Sequence, residues 1–499
     1  MRSSGILMPI FSLPSKYGIG TLGEEAYKFI DFLKKSGQTY WQILPIGSTG
    51  FGDSPYQSFS AYAGNPYFID LDFLINDGLL NKKDVENIKW YEEPDKVNYE
   101  ILYKSRYQVL RKAYEKFRIS PPPDFEKFKS ENDYWLKNYA MYSAIKDCHN
   151  GMPFYMWEDG YKFRNNEFIK KTETDLSEEI GFYEMLQYLF SAQWFKLKEY
   201  ANRNGIKIIG DIPIYVAADS ADVWGEPEQF MLDKDLQPYA VAGCPPDAFS
   251  DEGQLWGNPL YDWKYMENDG FKWWINRMAY SSRLYDIIRI DHFRAFSAFY
   301  SIPYGEKTAV NGKWIKGPSK RLFTALEKSL GKLNIIAEDL GTIDDEVREL
   351  LNFTKYPGMK VLQFAFTPDT ESSYLPHNII KNCVVYTGTH DNDTAVGFMK
   401  DAESSQVKFM REYLRIDDSD SFNWSLIKAA MATSADTVIL QMQDFLGLDN
   451  SARINIPSTL GGNWQWRISE NCCNDWLAKI IYDCTNIYFR LPKTCKSNK

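Results

Sequence analysis

Short apolar runs that stop on an acid recur along the chain. Ile206-Lys207-Ile208-Ile209-Gly210 leads to Asp211, and Ile287, Ile288 and Ile290 lead to Asp291. Asn334-Ile335-Ile336-Ala337 leads to Glu338-Asp339, and Cys383-Val384-Val385-Tyr386-Thr387-Gly388-Thr389 leads to His390-Asp391. Such runs predict β-strands. Thr39 to Leu44 and Met359 to Phe366 read as further strands. Helical periodicity fills the intervals. Ala26, Phe29, Ile30 and Leu33 share one face after Thr21-Leu22-Gly23-Glu24, which reads as a capping box, and Gly37 ends that helix. Gln187 to Asn204 is amphipathic, and Gly205 hands it over to the strand ending at Asp211. The predicted class is α/β, a (β/α)8 TIM barrel with large, mostly helical insertions, because a parallel barrel puts all its strand ends on one face.

Other segments depart from the alternation. From residue 71 to 197 the pattern is that of several charged-faced helices, among them Lys82–Ile88, Tyr99–Phe117 and Asp133–Asp147, with Pro121-Pro122-Pro123 breaking two of them. This is read as a helical insertion subdomain. Pro45 to Pro66 and Val241 to Trp263 read as long loops, the second a site insertion over residues 241–263; ordered loops of that length are usually functional. Lys313 to Leu330 reads as a turn and helix, and Val438–Phe445 as the start of a helix or strand. A helix over Asp475–Tyr488 is expected to cover the barrel floor, followed by a frayed tail, Lys493–Lys499.

The 499 residues are about twice a bare barrel of roughly 250. No Pro/Gly/Ser linker divides them, which favours one catalytic domain over 1–499 carrying insertions. A net charge of −10, with both signs interspersed, argues against nucleic acid or anionic lipid and for a neutral or cationic ligand. No apolar run approaches a membrane span of about 20 residues, and Met1 to Pro9 is a poor signal peptide. Seven scattered cysteines (148, 244, 383, 472, 473, 484, 495) read as reduced thiols, hence a cytoplasmic protein. The expected assembly is a monomer or weak homodimer.

The chemistry concentrates at Arg289-Ile290-Asp291-His292-Phe293-Arg294. On a strand, Arg289 and Asp291 face the same way. A permanently charged guanidinium beside Asp291 is expected to keep that carboxyl ionised and its pKa low, as a nucleophile needs. Two of the four histidines, His292 and His390, adjoin candidate acids; His149 has no acidic partner at ligand spacing and reads as a surface residue. Tyr56, Phe249, Trp256, Tyr261, Trp464 and Trp466 lie in loop-like words, where flat aromatic faces suit a sugar ring.

The set Asp211, Arg289/Asp291, Glu338 and His390/Asp391 resembles the four sequence regions of the α-amylase superfamily. Trp41-Gln42-Ile43-Leu44-Pro45, Ser54-Pro55-Tyr56-Gln57-Ser58, Gly64-Asn65-Pro66, Gln254-Leu255-Trp256-Gly257-Asn258-Pro259, Tyr386 to Thr394 and Gly462-Asn463-Trp464-Gln465-Trp466-Arg467 narrow it to the amylomaltases, which are 4-α-glucanotransferases. The resemblance spans nearly the whole chain. It implies Asp291 as nucleophile, Glu338 as acid/base and Asp391 as the residue holding a distorted sugar. It also implies substrate contacts from Tyr56, Asp211, Trp256, Arg289, His292, His390 and Asn463. The implied substrates are malto-oligosaccharides and α-1,4-glucans, with glucose as an acceptor, and no cofactor or metal. The stretch after Asp211, Ile212-Pro213-Ile214-Tyr215-Val216, lacks the histidine and the calcium-linked asparagine of many α-amylases. Cys244 stands where the family has an aliphatic residue and Ser458 where it usually has glycine. Three alternatives stay open: a retaining α-1,4-glucan hydrolase, a sugar-binding barrel without turnover, and a metal hydrolase using His390 and Asp391.

Overall fold

The computed structural model describes residues 2–50, 52–246, 250–368, 370–417 and 419–493. The expectations for Phe249, Cys495 and the tail after Lys493 lie outside the described residues. Twelve strands occur among them: β1 Ser3–Leu7, β2 Tyr40–Gln42, β3 Lys207–Ile212, β4 Ala240–Cys244, β5 Gln254–Pro259, β6 Ile287–Ile290, β7 Ala298–Pro303, β8 Lys313–Lys316, β9 Ile335–Ala337, β10 Gly358–Val361, β11 Cys383–Tyr386 and β12 Thr437–Gln441. Eight of them pair in parallel in the order β10-β11-β12-β1-β2-β3-β6-β9. That order is cyclic in the sequence, so every strand lies beside its neighbour in the chain. The Ala337 N–H donates to Pro357 at 2.9 Å, bringing β9 against the start of β10 and closing the ring. The fold is a (β/α)8 barrel.

The floor is sealed as expected. The C-terminal helix Asp475–Ile487 packs on the helix Glu24–Lys35. Just beyond it, the buried Arg490 donates to the carbonyls of Ser3, Ala435 and Thr433 at 3.0–3.1 Å. These carbonyls precede or begin β1 and β12 and would otherwise be buried without partners.

Several local expectations are corrected. Thr21 does not cap the helix Glu24–Lys35; Gly23 is its N-cap, and Thr21 Oγ1 donates to Asp70 at 2.6 Å instead. The 241–263 stretch is not a loop. Its ends form β4 and β5, which join β7 and β8 in a four-stranded antiparallel sheet, order β5-β4-β7-β8, rising from the connections after β3 and β6. Lys313–Lys316 is therefore a strand rather than a turn. The strand expected over 359–366 ends at Val361 and continues as a 3-10 turn, Leu362–Phe364.

Helices fill the region from residue 71, notably Tyr99–Phe117, Phe125–Cys148 and Ser177–Arg203. The last of these runs to the turn before β3. Its side chains clamp the segment beyond β2: Gln187 exchanges hydrogen bonds with both backbone groups of Gly64 at 2.8 and 3.0 Å, and Gln193 does so with Asp70 at 2.7 and 3.3 Å. The helical region thus braces the 45–66 loop. His149 is not a lone surface histidine: its Nε2 lies 2.6 Å from Glu158 and its ring stacks on Trp157.

Candidate active site

The strand register builds the centre of the site. Asp211 of β3 pairs directly with Arg289 of β6, so both side chains leave the sheet together. Arg289 Nη1 lies 2.7 Å from each carboxylate oxygen of Asp211 and 3.0 Å from Asp291, which follows the end of β6. Tyr56, from the 45–66 loop, donates its hydroxyl to Asp211 at 2.9 Å and stacks on His390 with ring centroids 5.1 Å apart. Trp464 packs beside both rings.

Glu338 follows β9 and is held by main chain. The N–H of His292 donates to one of its oxygens and the N–H of Leu340 to the other, each at 2.7 Å. His292 reaches this position through a left-handed backbone, φ 52°. Its ring meets Trp256 of β5 edge-on at 4.8 Å. Gln57 donates to the carbonyl of Trp256 and to Asn258, tying the 45–66 loop to the β4–β5 hairpin.

Asp391, beyond the end of β11, lies 3.3 Å from His390 Nε2 and accepts from Asn455 Nδ2 at 2.7 Å. Arg453 fixes the surrounding turn by donating to the Asp391 carbonyl at 2.6 Å and pairing with Asp393. Asn455 and Arg453 were missed as site residues; the only signal for them is their place in a polar loop word after β12.

Electrostatics modify the expectation for Asp291. Its side chain is 30 % exposed, whereas Glu338 is buried. Arg289 shares its charge with Asp211, so it does not hold Asp291 in the ordinary carboxylate range. Burial, with Glu338, Asp211 and Asp391 nearby, outweighs Arg289 and pushes Asp291 up to about 8. Burial likewise raises Glu338, against Arg289 and its two backbone donors. The two carboxyls titrate as a pair and retain a proton through neutral pH. Burial pushes His292 down to about 3 and lowers His390, so both rings are neutral donors and acceptors there.

Nine of the ten expected residues (Tyr56, Asp211, Trp256, Arg289, Asp291, His292, Glu338, His390 and Asp391) are linked through these contacts. Asn463 differs: its amide accepts from Ile456 N–H and donates to Thr459, so it shapes its own loop. Among the described residues, no group of three or more His, Cys, Asp or Glu side chains is placed to hold a metal ion.

A family model described as 4-alpha-glucanotransferase matches residues 8–472. The chain belongs to the 4-alpha-glucanotransferase family. It is 51 % identical to the 4-alpha-glucanotransferase of Clostridium butyricum over 97 % of this chain and 100 % of that one. It is 46 % identical to the Streptococcus pneumoniae 4-alpha-glucanotransferase, covering 98 % of each. Its fold superposes on the amylomaltase of Streptococcus agalactiae, solved in complex with acarbose, with a TM-score of 0.97, 42 % identity and coverage of 99 % and 100 %. Membership of this family favours transferase over hydrolase, so the two carboxyls, the arginine and the aromatic walls belong to an enzyme of glucan transfer.

Proposed function

We propose that the enzyme moves an α-1,4-glucan segment from a donor malto-oligosaccharide to the 4-hydroxyl of an acceptor glucan or glucose, with retention, through two displacements at Asp291. Asp291 attacks the anomeric carbon, the glycosidic bond breaks, and Glu338 gives its proton to the departing oxygen. Glu338 then takes a proton from the incoming hydroxyl as that oxygen displaces Asp291. The starting state needs one proton on the pair. Arg289, 3.0 Å from Asp291, favours that proton on Glu338.

The observation that carries this reading is the asymmetry of the pair. Asp291 is open to the mouth and bound to a guanidinium, while Glu338 is buried with both oxygens aimed by backbone N–H groups. Asp211 and Tyr56 position Arg289. Asp391, supported by Asn455, is suited to accept sugar hydroxyls, and His292, His390 and Trp256 to line the ring. Asn463 acts on substrate through the 456–463 loop that it orders.

Residues 1–499 form one catalytic domain in this reading. The 71–197 helices form its bracing subdomain, and the 241–263 insertion forms one wall of the mouth. Cys148, Cys383, Cys472, Cys473 and Cys484 are free thiols, which supports a cytoplasmic enzyme; the proposed assembly is a monomer or weak homodimer.

Purified protein with maltotriose and EDTA tests the reaction. Glucose plus longer maltodextrins at constant reducing ends is expected. Rising reducing ends with only shorter products would replace transfer by hydrolysis, and activity lost to EDTA would replace the carboxylate mechanism.

A further inference from the structure

A second cleft, of about 840 Å³, opens on the outer wall of the barrel, between the helices Ala395–Asp401, Phe422–Ala432 and Met442–Leu446 and the residues 470–477. None of the catalytic residues lines it. Its volume lies within the range of about 300–1,000 Å³ typical of small-ligand sites.

Two indoles define this cleft. Trp476, the second residue of the helix Asp475–Ile487, is 72 % exposed. Trp424 is partly buried and held edge-on against Phe445, with centroids 5.7 Å apart, so its ring is fixed. Neither indole N–H has a hydrogen-bond partner among the described residues. Lys400 and Glu470 also line the cleft; their side chains make no hydrogen bond or close ion pair among the described residues, and the charges nearest them in effect are Asp449 for Lys400 and Arg467 for Glu470.

These features select a ligand chemistry. Flat indoles, one of them held by Phe445, offer apolar faces with a free donor at the edge. One ammonium and one carboxylate sum to no net charge, on a chain of net charge −10, which disfavours phosphate-rich ligands and polyanions. A purely apolar partner would desolvate two N–H groups and two charges without pairing them. A chain of neutral sugars matches both aspects: the C–H face of each ring lies on an indole, and the hydroxyls serve the N–H groups, Glu470 and Lys400.

We propose that this cleft is a surface site for an α-glucan chain, separate from the catalytic mouth. The inference rests on the glucan-transfer reading for the identity of the sugar. Holding a long chain at the outer wall raises the effective concentration of its ends at the mouth. The effect is therefore confined to polymeric donors and absent for maltotriose.

The test compares Trp476→Ala with the parent chain. Each is run in native gels containing glycogen, in an Asp291→Asn background so that the polymer is not consumed. With Asp291 restored, each is then assayed on maltotriose and on amylose. Retardation of the parent chain, about tenfold weaker in the variant, with a raised KM for amylose and unchanged maltotriose transfer, is the expected result. Equal migration of the two proteins would overturn the site. So would a lower sedimentation coefficient for Trp476→Ala, which would make the cleft a contact between copies. A parent chain inactive on maltotriose would count against the transfer reading, whereas equal migration with maltotriose transfer intact counts against the cleft alone.

Discussion

The backbone N–H of His292 donates to the Glu338 carboxylate at 2.7 Å, so the residue after Asp291 aims the acid on the neighbouring strand. The two carboxyls are thereby fixed relative to each other by main chain. The turn requires His292 at φ 52°, ψ 47°. A β-branched residue is an outlier there, whereas asparagine tolerates it. His292→Val is expected to cost about 1–3 kcal/mol of stability and to lose most transfer activity, with His292→Asn melting closer to the parent. Equal melting temperatures for the two variants would show that the turn stores no strain.

The roles of Asp291 and Glu338 separate with a donor whose leaving group needs no proton. Glu338→Gln is expected to lower transfer from maltotriose by about 10²–10⁴-fold, yet to keep the first displacement with an α-maltosyl fluoride. Asp291→Asn is expected to be inactive on both. Fluoride release by the two variants decides it; release by Asp291→Asn alone would reverse the assignment.

The coupled pair predicts a pH profile. Burial raises both carboxyls, Asp291 to about 8. In the proposed mechanism the active form carries one proton, so kcat/KM is expected to fall as pH rises past about 8 and that proton leaves. Asp211→Asn removes one anion and releases Arg289 from its two 2.7 Å contacts. Both changes favour the ionised pair, so the alkaline limb is expected to move to lower pH. A limb that moves upward would contradict this charge balance.

What the chain made legible follows from the range of each interaction. Four of the eight barrel strands announce themselves because an apolar run ending on an acid is a local pattern, and those four acids came out on one mouth; β1 does not read as a strand, and β12 reads as either helix or strand. The partner of Arg289 was not local. Period two pointed it towards Asp291, but only the β3–β6 register brings in Asp211, and that divides the charge and overturns the expected low pKa of Asp291. The 241–263 segment read as a loop because Gly243, Pro245, Pro246 and Gly253 are strong breakers. Its strand partner β7 lies more than fifty residues onward, beyond any local window. Thr21 failed as a cap because the helix begins later, with Gly23 as its N-cap, and the Thr21 hydroxyl donates to Asp70 instead. Ser458, which the resemblance placed at a glycine position, has a left-handed φ of 63°, a conformation glycine adopts most readily.

Tyr56 acts through two contacts that substitutions can separate. Tyr56→Phe removes the 2.9 Å hydrogen bond to Asp211 but keeps the stack on His390. A hydrogen bond to a charged group contributes about 1.5–3 kcal/mol, so kcat/KM for maltotriose is expected to fall roughly 10- to 100-fold. Tyr56→Ala loses the stack as well and is expected to fall further. Identical kinetics for the two would mean that the stack does not shape the site.

Asn455 offers the sharpest test of Asp391. Its amide N–H reaches Asp391 at 2.7 Å, and its own backbone N–H donates to the His390 carbonyl at 3.1 Å, so it fixes the loop after β12 against the loop after β11. Asn455→Ala leaves the backbone bond but removes the donor that orients the carboxylate, and in the proposed role of holding a distorted sugar Asp391 loses most when its direction is lost. We expect kcat to fall about 10- to 100-fold with little change in melting temperature. Asn455→Asp sets a second carboxylate against Asp391 and is expected to be worse than alanine, whereas Asn455→Gln, which keeps the donor on a longer arm, recovers part of the loss. Should alanine and aspartate behave alike, the amide would be packing the loop rather than aiming Asp391.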